Sequence, residues 1–103
     1  MSVANPARGE ATLVIGSDTL RLRPSFAALV AAEAELGPLF ALVERAAAGG
    51  LMLAEMAALF WHCLDGASAG MSRADFSERL VEGGLAAVTP ALRVLLGQVL
   101  AGR

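Results

Sequence analysis

Two short segments near the N-terminus carry the apolar pattern of β-strands. Residues 10–15 have the sequence E-A-T-L-V-I, which is rich in β-branched side chains, and residues 19–23 alternate apolar and polar positions. Gly16-Ser17-Asp18 lies between them and predicts a turn. The two segments therefore predict a β-hairpin with one buried face and one exposed face. The expected buried residues are Leu13, Ile15, Leu20 and Leu22, and the residues expected to face water are Thr19, Arg21 and Arg23.

Apolar residues recur every three or four positions after residue 24, which predicts amphipathic helices around a common core. The expected helices run from Ser25 to about Leu36, from Pro38 to Gly49-Gly50, from about Leu53 to Leu64, from Ser72 to Glu82, and from Thr89 to Gly102. Their expected core positions are Phe26, Leu29, Val30 and Leu36; Leu39, Leu42, Val43 and Ala46; Leu53, Met56, Ala57, Phe60 and Leu64; Phe76, Leu80 and Val81; and Leu92, Leu95, Leu96 and Val99. Arg93 and Gln98 are expected on the surface of the last helix.

Polar and conformationally special residues mark the ends of these helices. Ser25, Ser72 and Thr89 can each act as an N-cap, because their side-chain oxygens can accept a hydrogen bond from the first helical turn. Gly37 is expected to end the first helix. Pro90 suits the first turn of the last helix, since its missing N–H is not needed there.

A hairpin followed by helices indicates the α+β fold class. We expect an N-terminal two-stranded hairpin, over about residues 10–23, packed on a bundle of four to five short helices. The 103 residues have the size of one domain, which we place at residues 9–103 behind a flexible arm at residues 1–8. A two-stranded hairpin needs support from the helices, and its free strand edges could pair with another chain.

Composition argues against several classes of function. The formal charge is −2 and the eight basic residues, all arginines, are scattered, so no basic stripe indicates nucleic-acid binding. We expect no membrane span, and the single cysteine fits a reducing cytoplasm. Charged residues make up 17% of the chain, below the usual figure of about 25%. Some apolar surface should therefore stay exposed, which is typical of partner-binding proteins.

Residues that commonly carry catalysis or bind metals are few and separated. His62 is the only histidine, and it shares a helical stripe with Glu55 opposite the core, which predicts an exposed side chain outside any pocket. Cys63 points about 100° away from it on a helix and is expected to be a small buried hydrophobe. Glu33 and Glu35 are two positions apart and diverge. A closed zinc site needs four ligands, mostly Cys and His, and the sequence has one of each. It also has no phosphate-binding loop, so we expect no enzyme activity, no cofactor and no metal.

Trp61 is the first candidate contact for a partner. It flanks the apolar stripe of the third helix, a position that suits either a half-buried core residue or an interface anchor. Met52 and Met56 lie nearby and would provide an adaptable apolar surface. The expected partner-binding residues are Trp61, Met52, Met56, Phe40, Leu64, Arg21 and Arg23.

Several short motifs together resemble one family. The motifs are Asn5-Pro6-Ala7-Arg8-Gly9-Glu10 before the first strand, Leu22-Arg23-Pro24-Ser25-Phe26 at the end of the hairpin, Ala28-Leu29 and Glu33 in the first helix, then Gly37 and the apolar helices around Gly49-Gly50. In these residues the chain resembles the small tail assembly chaperones of tailed phages and bacterial gene transfer agents, which are sometimes called tail tube proteins. The resemblance covers about residues 5–67, and from residue 70 onward only the helical character agrees.

The resemblance implies a non-enzymatic protein that acts during tail assembly in the bacterial cytoplasm. Its implied partners are the tape-measure protein, a long apolar helical protein that it would bind before tube subunits polymerise, and the major tail protein. A second hypothesis is a structural tail component that stays in the particle as a homo-oligomer, joined through hairpin edges. A third is a ligand-binding domain or enzyme whose site forms only in three dimensions. A helix-turn-helix DNA binder is disfavoured, because the last helices carry few arginines.

Overall fold

The computed structural model describes residues 11–15, 18–64, 71–83 and 85–101. In these residues a hairpin of β1 (Ala11–Ile15) and β2 (Asp18–Leu22) precedes five helices, which confirms the predicted α+β fold. The helices are α1 (Phe26–Leu36), α2 (Leu39–Ala47), α3 (Leu53–Cys63), α4 (Arg73–Glu82) and α5 (Leu85–Ala101). The predicted arm at residues 1–8 and most of the predicted turn lie outside the described residues, and the single domain at residues 9–103 stays a prediction.

The hairpin places its apolar face on the helices. β1 and β2 pair antiparallel, with Leu13 opposite Leu20. Leu13, Ile15 and Leu22 are buried as predicted, and Leu20 packs half-buried against the same core. Arg21 is half-buried instead of facing water, because an arginine can lay its aliphatic stem along neighbouring side chains.

The end of β2 is joined to the end of α3. Leu22 forms an isolated antiparallel bridge with Leu64. The Arg23 amide donates a hydrogen bond to the Cys63 carbonyl at 2.6 Å. These contacts occupy the edge of β2 that faces away from β1, so the hairpin is anchored to the central helix at this point.

The core-facing side of α1 differs from the predicted one. Ser25 accepts a hydrogen bond from the Ala28 amide as the expected N-cap. Phe26 and Val30, predicted to be in the core, are 85% and 47% exposed, whereas Ala32 is completely buried. Five of the eleven residues of α1 are alanines, so large side chains alone do not define the buried stripe. An alanine at the contact lets α1 and α3 approach closely.

α3 is the central helix of the core, with α1 and α4 packed against it. Its buried residues extend beyond the predicted stripe to Ala58 and Leu59, because neighbours cover it on more than one side. Leu53 and Val81, both expected in the core, are 43% and 48% exposed near one end of α3 and of α4. The largest fully buried side chains are Phe60, Phe76, Leu13, Leu22, Leu42, Leu59, Leu80, Leu95 and Cys63.

α5 continues through Pro90, where the sequence predicted that a helix would begin. Thr89 is therefore inside the helix and is not its N-cap. The additional turn before Pro90 includes Val88, which is buried in the core. Among the α5 residues whose side chains the structure describes, Val88, Ala91, Leu95 and Gln98 are buried, while Leu92, Leu96 and Val99 flank them half-buried. The predicted surface position of Gln98 is wrong, because Gln98 is only 7% exposed.

Within the described ranges, no single helix is both long and apolar enough to cross a membrane. The pair of α1 and α2, which meet at a bend of 75°, reaches that length and composition when the two helices are taken together.

Candidate partner-binding surface

Trp61 packs at the contact between α3 and α4. Its ring centroid lies 5.8 Å from that of Phe76, and the ring planes are inclined by 50°. The side chain is half-buried, which is the position expected for a residue flanking the core. Because Phe76 is fully buried, one side of the indole belongs to the core.

The other predicted contact residues lie on several elements. Phe40 on α2 and Met52 before α3 are 63% and 64% exposed, while Met56 on α3 is 8% exposed. Leu64 is half-buried and held in the bridge to β2. On the hairpin, Arg21 is half-buried and Arg23, just after β2, is exposed. Only some of these side chains are thus available to a partner without rearrangement.

A groove of about 540 Å³ lies between α2 and α5, and we name it the α2–α5 groove. Met56 contributes to its lining, which connects one predicted contact residue to a concave surface. The residues that line it are Val43, Ala46, Ala47, Gly49, Leu51, Met56, Thr89, Leu92, Arg93 and Leu96. Val43 and the two alanines recur at i, i+3 and i+4 on α2, and the α5 residues recur at i, i+3, i+4 and i+7. Each wall is therefore one face of a helix.

Arg93 is the cation of this groove. It is exposed, and it makes no hydrogen bond or ion pair with any residue in the part of the chain that the structure describes. Phe40 precedes Val43 by three positions and Ala47 by seven, so helical geometry places it on the same side of α2. The groove thus combines apolar walls with a guanidinium that has no partner among the described residues, and Phe40 lies exposed on the same side of α2.

A second groove, of about 460 Å³, lies between α3 and α4. Its lining includes Ala54, Ala57 and Ala58 on α3, with the exposed Leu53 and other residues. Arg73 also lines it, but this cation is already paired with Glu35 on α1. The α3–α4 groove therefore offers apolar surface without a free charge from Arg73.

Glu35, His62 and Arg73 form a polar cluster that joins α1, α3 and α4. Arg73 Nη2 pairs with Glu35 Oε2, and His62 Nε2 lies 2.8 Å from Glu35 Oε1. The hydrogen bond from Arg73, and after it that from His62, lowers the pKa of Glu35 to about 2. The same pairing with Glu35 raises the pKa of Arg73.

This cluster corrects the sequence interpretation of His62. The side chain was expected to be exposed on an open helix face, but it is half-buried against α1. His62 was placed on the stripe of α3 that carries Glu55, and α1 covers this stripe at His62 through Glu35. Spacing within one helix could not reveal that another helix covers that stripe.

Glu55 has a structural role at the start of α3. Its Oε1 accepts a hydrogen bond from the Met52 amide at 3.0 Å and one from Arg45 Nη1 at 2.7 Å. The Met52 amide first and Arg45 second lower the pKa of Glu55. A carboxylate that accepts a first-turn amide caps the helix, so this contact holds Met52 where it is exposed.

Cys63 is fully buried, as expected for a small hydrophobe. Burial raises the pKa of its thiol to about 12, which leaves the thiol protonated and unreactive at neutral pH. Among the described residues, no group of three or more His, Cys, Asp or Glu side chains could hold a metal ion.

Comparison with known proteins identifies one family. A family model described as "Phage tail tube protein, GTA-gp10" matches residues 8–102. The match extends well beyond residue 67, where the resemblance drawn from sequence motifs loses its detail. No curated protein and no solved structure matches the chain significantly.

Proposed function

Because the chain belongs to the family described as phage tail tube protein, GTA-gp10, we propose that it is a tail assembly chaperone that binds the tape-measure protein. Membership gives the chain a role connected with the tail of a phage or gene transfer agent. The proposal adds that this role is transient and precedes tube polymerisation.

The α2–α5 groove is the observation that supports a binding role most directly. A long apolar helix exposed to water aggregates, and a protein with an apolar groove can cover such a helix. The groove has apolar walls, and Phe40 and Met52, both largely exposed, lie on or next to the segments that form it. Exposed large apolar side chains are typical of partner-binding surfaces.

The proposed partners are the tape-measure protein and, at the hand-over to the tube, the major tail protein. The binding step would take place in the bacterial cytoplasm and would have to be reversible, since tube subunits must displace the chaperone. A groove of this size suits a modest interface better than a large obligate one. In this proposal the protein has no catalytic role, and the Glu35 cluster serves to hold three helices together.

A structural tube component is the second candidate, and the edge of β1 favours it. β1 pairs only with β2 among the described strands. Charged residues and prolines usually protect a strand edge from pairing with another chain. The sequence of β1, A-T-L-V-I, contains neither. Val14 is also 56% exposed on the outer face of the hairpin. Such an edge could pair with another copy and extend the sheet.

Two measurements separate these functions. The first is co-expression with the tape-measure protein of the same tail, followed by pull-down and size-exclusion chromatography. The chaperone proposal expects the tape-measure protein to become soluble and to co-elute. The second is mass spectrometry of purified mature particles. An abundant protein in the particle, or rings and tubes formed by the chain alone, would favour the structural component and contradict the chaperone.

A further inference from the structure

We infer that the α2–α5 groove binds one amphipathic helix of the partner, and that an acidic side chain on this helix pairs with Arg93. The inference rests on the proposed function for the identity of the partner protein. It adds the face of the molecule, the secondary structure that docks and the charge that is recognised.

The shape of the groove fits a helix. Its walls are helix faces from α2 and α5, so side chains of a third helix can pack between them in the same way that the core helices pack. Ala46 and Ala47 provide small side chains on one wall, and Leu92 and Leu96 provide larger ones on the other. Helices that bind in grooves place apolar anchors at i, i+3, i+4 and i+7, so the docking helix would present such an apolar stripe to the groove.

The charge of the groove determines which helices are accepted. Arg93 lies between Leu92 and Leu96 in sequence and lines the groove with them. A purely apolar helix would remove water from the guanidinium without replacing its hydrogen bonds, which is unfavourable. A carboxylate on the helix would instead form a charge-assisted, bidentate pair with Arg93. The groove therefore favours an apolar helix that carries an acidic residue.

The other arginines near apolar surfaces provide a comparison. Arg73 in the α3–α4 groove is paired with Glu35, and Arg45 beside the start of α3 is paired with Glu55. Arg93 has no such partner within the described ranges. Charge complementarity thus selects the α2–α5 groove over the α3–α4 groove as the site for an acidic helix.

Two substitutions test the groove and its charge separately. Arg93→Glu reverses the charge, and Ala47→Trp fills the groove from an exposed position without removing core atoms. Arg79→Glu is the matched charge control at an exposed position of α4 outside the groove lining, and Ala34→Trp is the matched size control on an exposed position of α1. Circular dichroism verifies that all four variants fold.

The variants are co-expressed with the tape-measure protein, and the affinity of each purified complex is measured. Arg93→Glu should weaken binding by about tenfold to a hundredfold, because it replaces a buried charge pair with repulsion. Ala47→Trp should also weaken binding, while the two controls should stay within about twofold of the wild type. Replacing the pairing acid of the bound helix with arginine should restore binding to Arg93→Glu.

Each other outcome overturns a different step. If the wild type does not bind the tape-measure protein, the proposed function is wrong and this inference is wrong with it. If the wild type binds but both groove variants behave like their controls, the function stands and the groove assignment is wrong. If only Ala47→Trp weakens binding, the pairing with Arg93 is wrong. If the chain alone forms a dimer that Arg93→Glu dissociates, a second copy occupies the groove.

Discussion

Gly37 ends α1 with a backbone conformation that side chains rarely adopt. Its φ is 82° and its ψ is −167°, a region occupied almost entirely by glycine. A Cβ atom at this position would meet no heavy atom within 4 Å. Gly97, inside α5, is equally open but has no positive φ. A Cβ atom would be crowded at neither position, so a difference between substitutions at the two glycines reports backbone strain alone.

The same chemical change should have opposite effects at these two glycines. Gly37→Ala should lower the free energy of unfolding by about 1–3 kcal/mol, because alanine is strained in this conformation. Gly97→Ala should raise it by about 0.5–1 kcal/mol, because alanine favours a helix interior. Urea unfolding of the two variants measures both. Equal effects with the same sign would contradict the backbone conformation of Gly37.

Glu35 should make the stability of the fold depend on acid pH. Its pKa of about 2 in the folded protein lies below the ordinary value of 4.5. Ionised Glu35 therefore stabilises the fold above about pH 4.5, and this stabilisation is lost as the pH falls toward 2. Glu35→Gln should be less stable than the wild type near neutral pH, and the difference should shrink between those two pH values.

Unfolding in urea at a series of pH values tests this prediction. Glu78→Gln is a suitable control, because Glu78 on α4 is exposed and has no hydrogen bond or ion pair among the described residues. The control should keep the pH dependence of the wild type, in which stability falls between about pH 4.5 and pH 2. A pH dependence that Glu35→Gln leaves unchanged would mean that the cluster with Arg73 does not form in solution.

At the scale of elements, Pro90 makes α5 less stable than its length suggests. A proline inside a helix removes one backbone hydrogen bond, and its ring crowds the carbonyl four residues earlier. Pro90 is exposed, so its replacement removes little packing. Pro90→Ala should therefore raise the free energy of unfolding by about 2 kcal/mol.

Pro38→Ala is the matched control, because Pro38 occupies the N-cap position of α2 and is also exposed. Its replacement should change the stability by no more than about 0.5 kcal/mol. Urea unfolding compares the two variants. If Pro90→Ala changes no more than Pro38→Ala, α5 begins at Thr89, as its sequence first suggested.

Most helices could be predicted because capping and helix-ending residues in the sequence mark where they begin and end. Ser25 and Gly37 delimit α1, and Ser72 caps α4 by accepting from the Asp75 amide. The orientation of α1 could not be predicted in this way, because its alanines can face either the core or the solvent. The start of α5 was missed because Thr89-Pro90 has the composition of a helix start, while tertiary packing of Val88 extends the helix before it.

At the scale of the whole molecule, two phenylalanines show that large apolar residues lie both in the core and on the surface. Phe60 is fully buried, and Phe26 is 85% exposed. Phe60→Ala should lower the free energy of unfolding by about 3–5 kcal/mol, because it leaves a cavity in the core. Phe26→Ala should change it by no more than about 0.5 kcal/mol. Denaturant unfolding provides both values, and comparable losses would contradict the observed exposure of Phe26.

The candidate site was only partly accessible from the sequence. Phe40 and Met56 were selected as partner-binding residues, and both relate to the α2–α5 groove, Met56 as part of its lining. Leu92, Leu96 and Arg93 were assigned to α5, but their position across from α2 depends on the packing of two distant helices. A site built from separate elements requires the tertiary structure, whereas each helix face can be inferred from spacing alone.

The buried Cys63 provides a way to measure how fast the junction between α3 and β2 opens. The chain has a single cysteine, and its thiol is both inaccessible and protonated while the Arg23 amide holds the end of α3. A thiol reagent can react only after this junction opens. The rate of labelling therefore reports how often the hairpin opens from the helices, and a partner that stays bound elsewhere during this local opening leaves the rate unchanged.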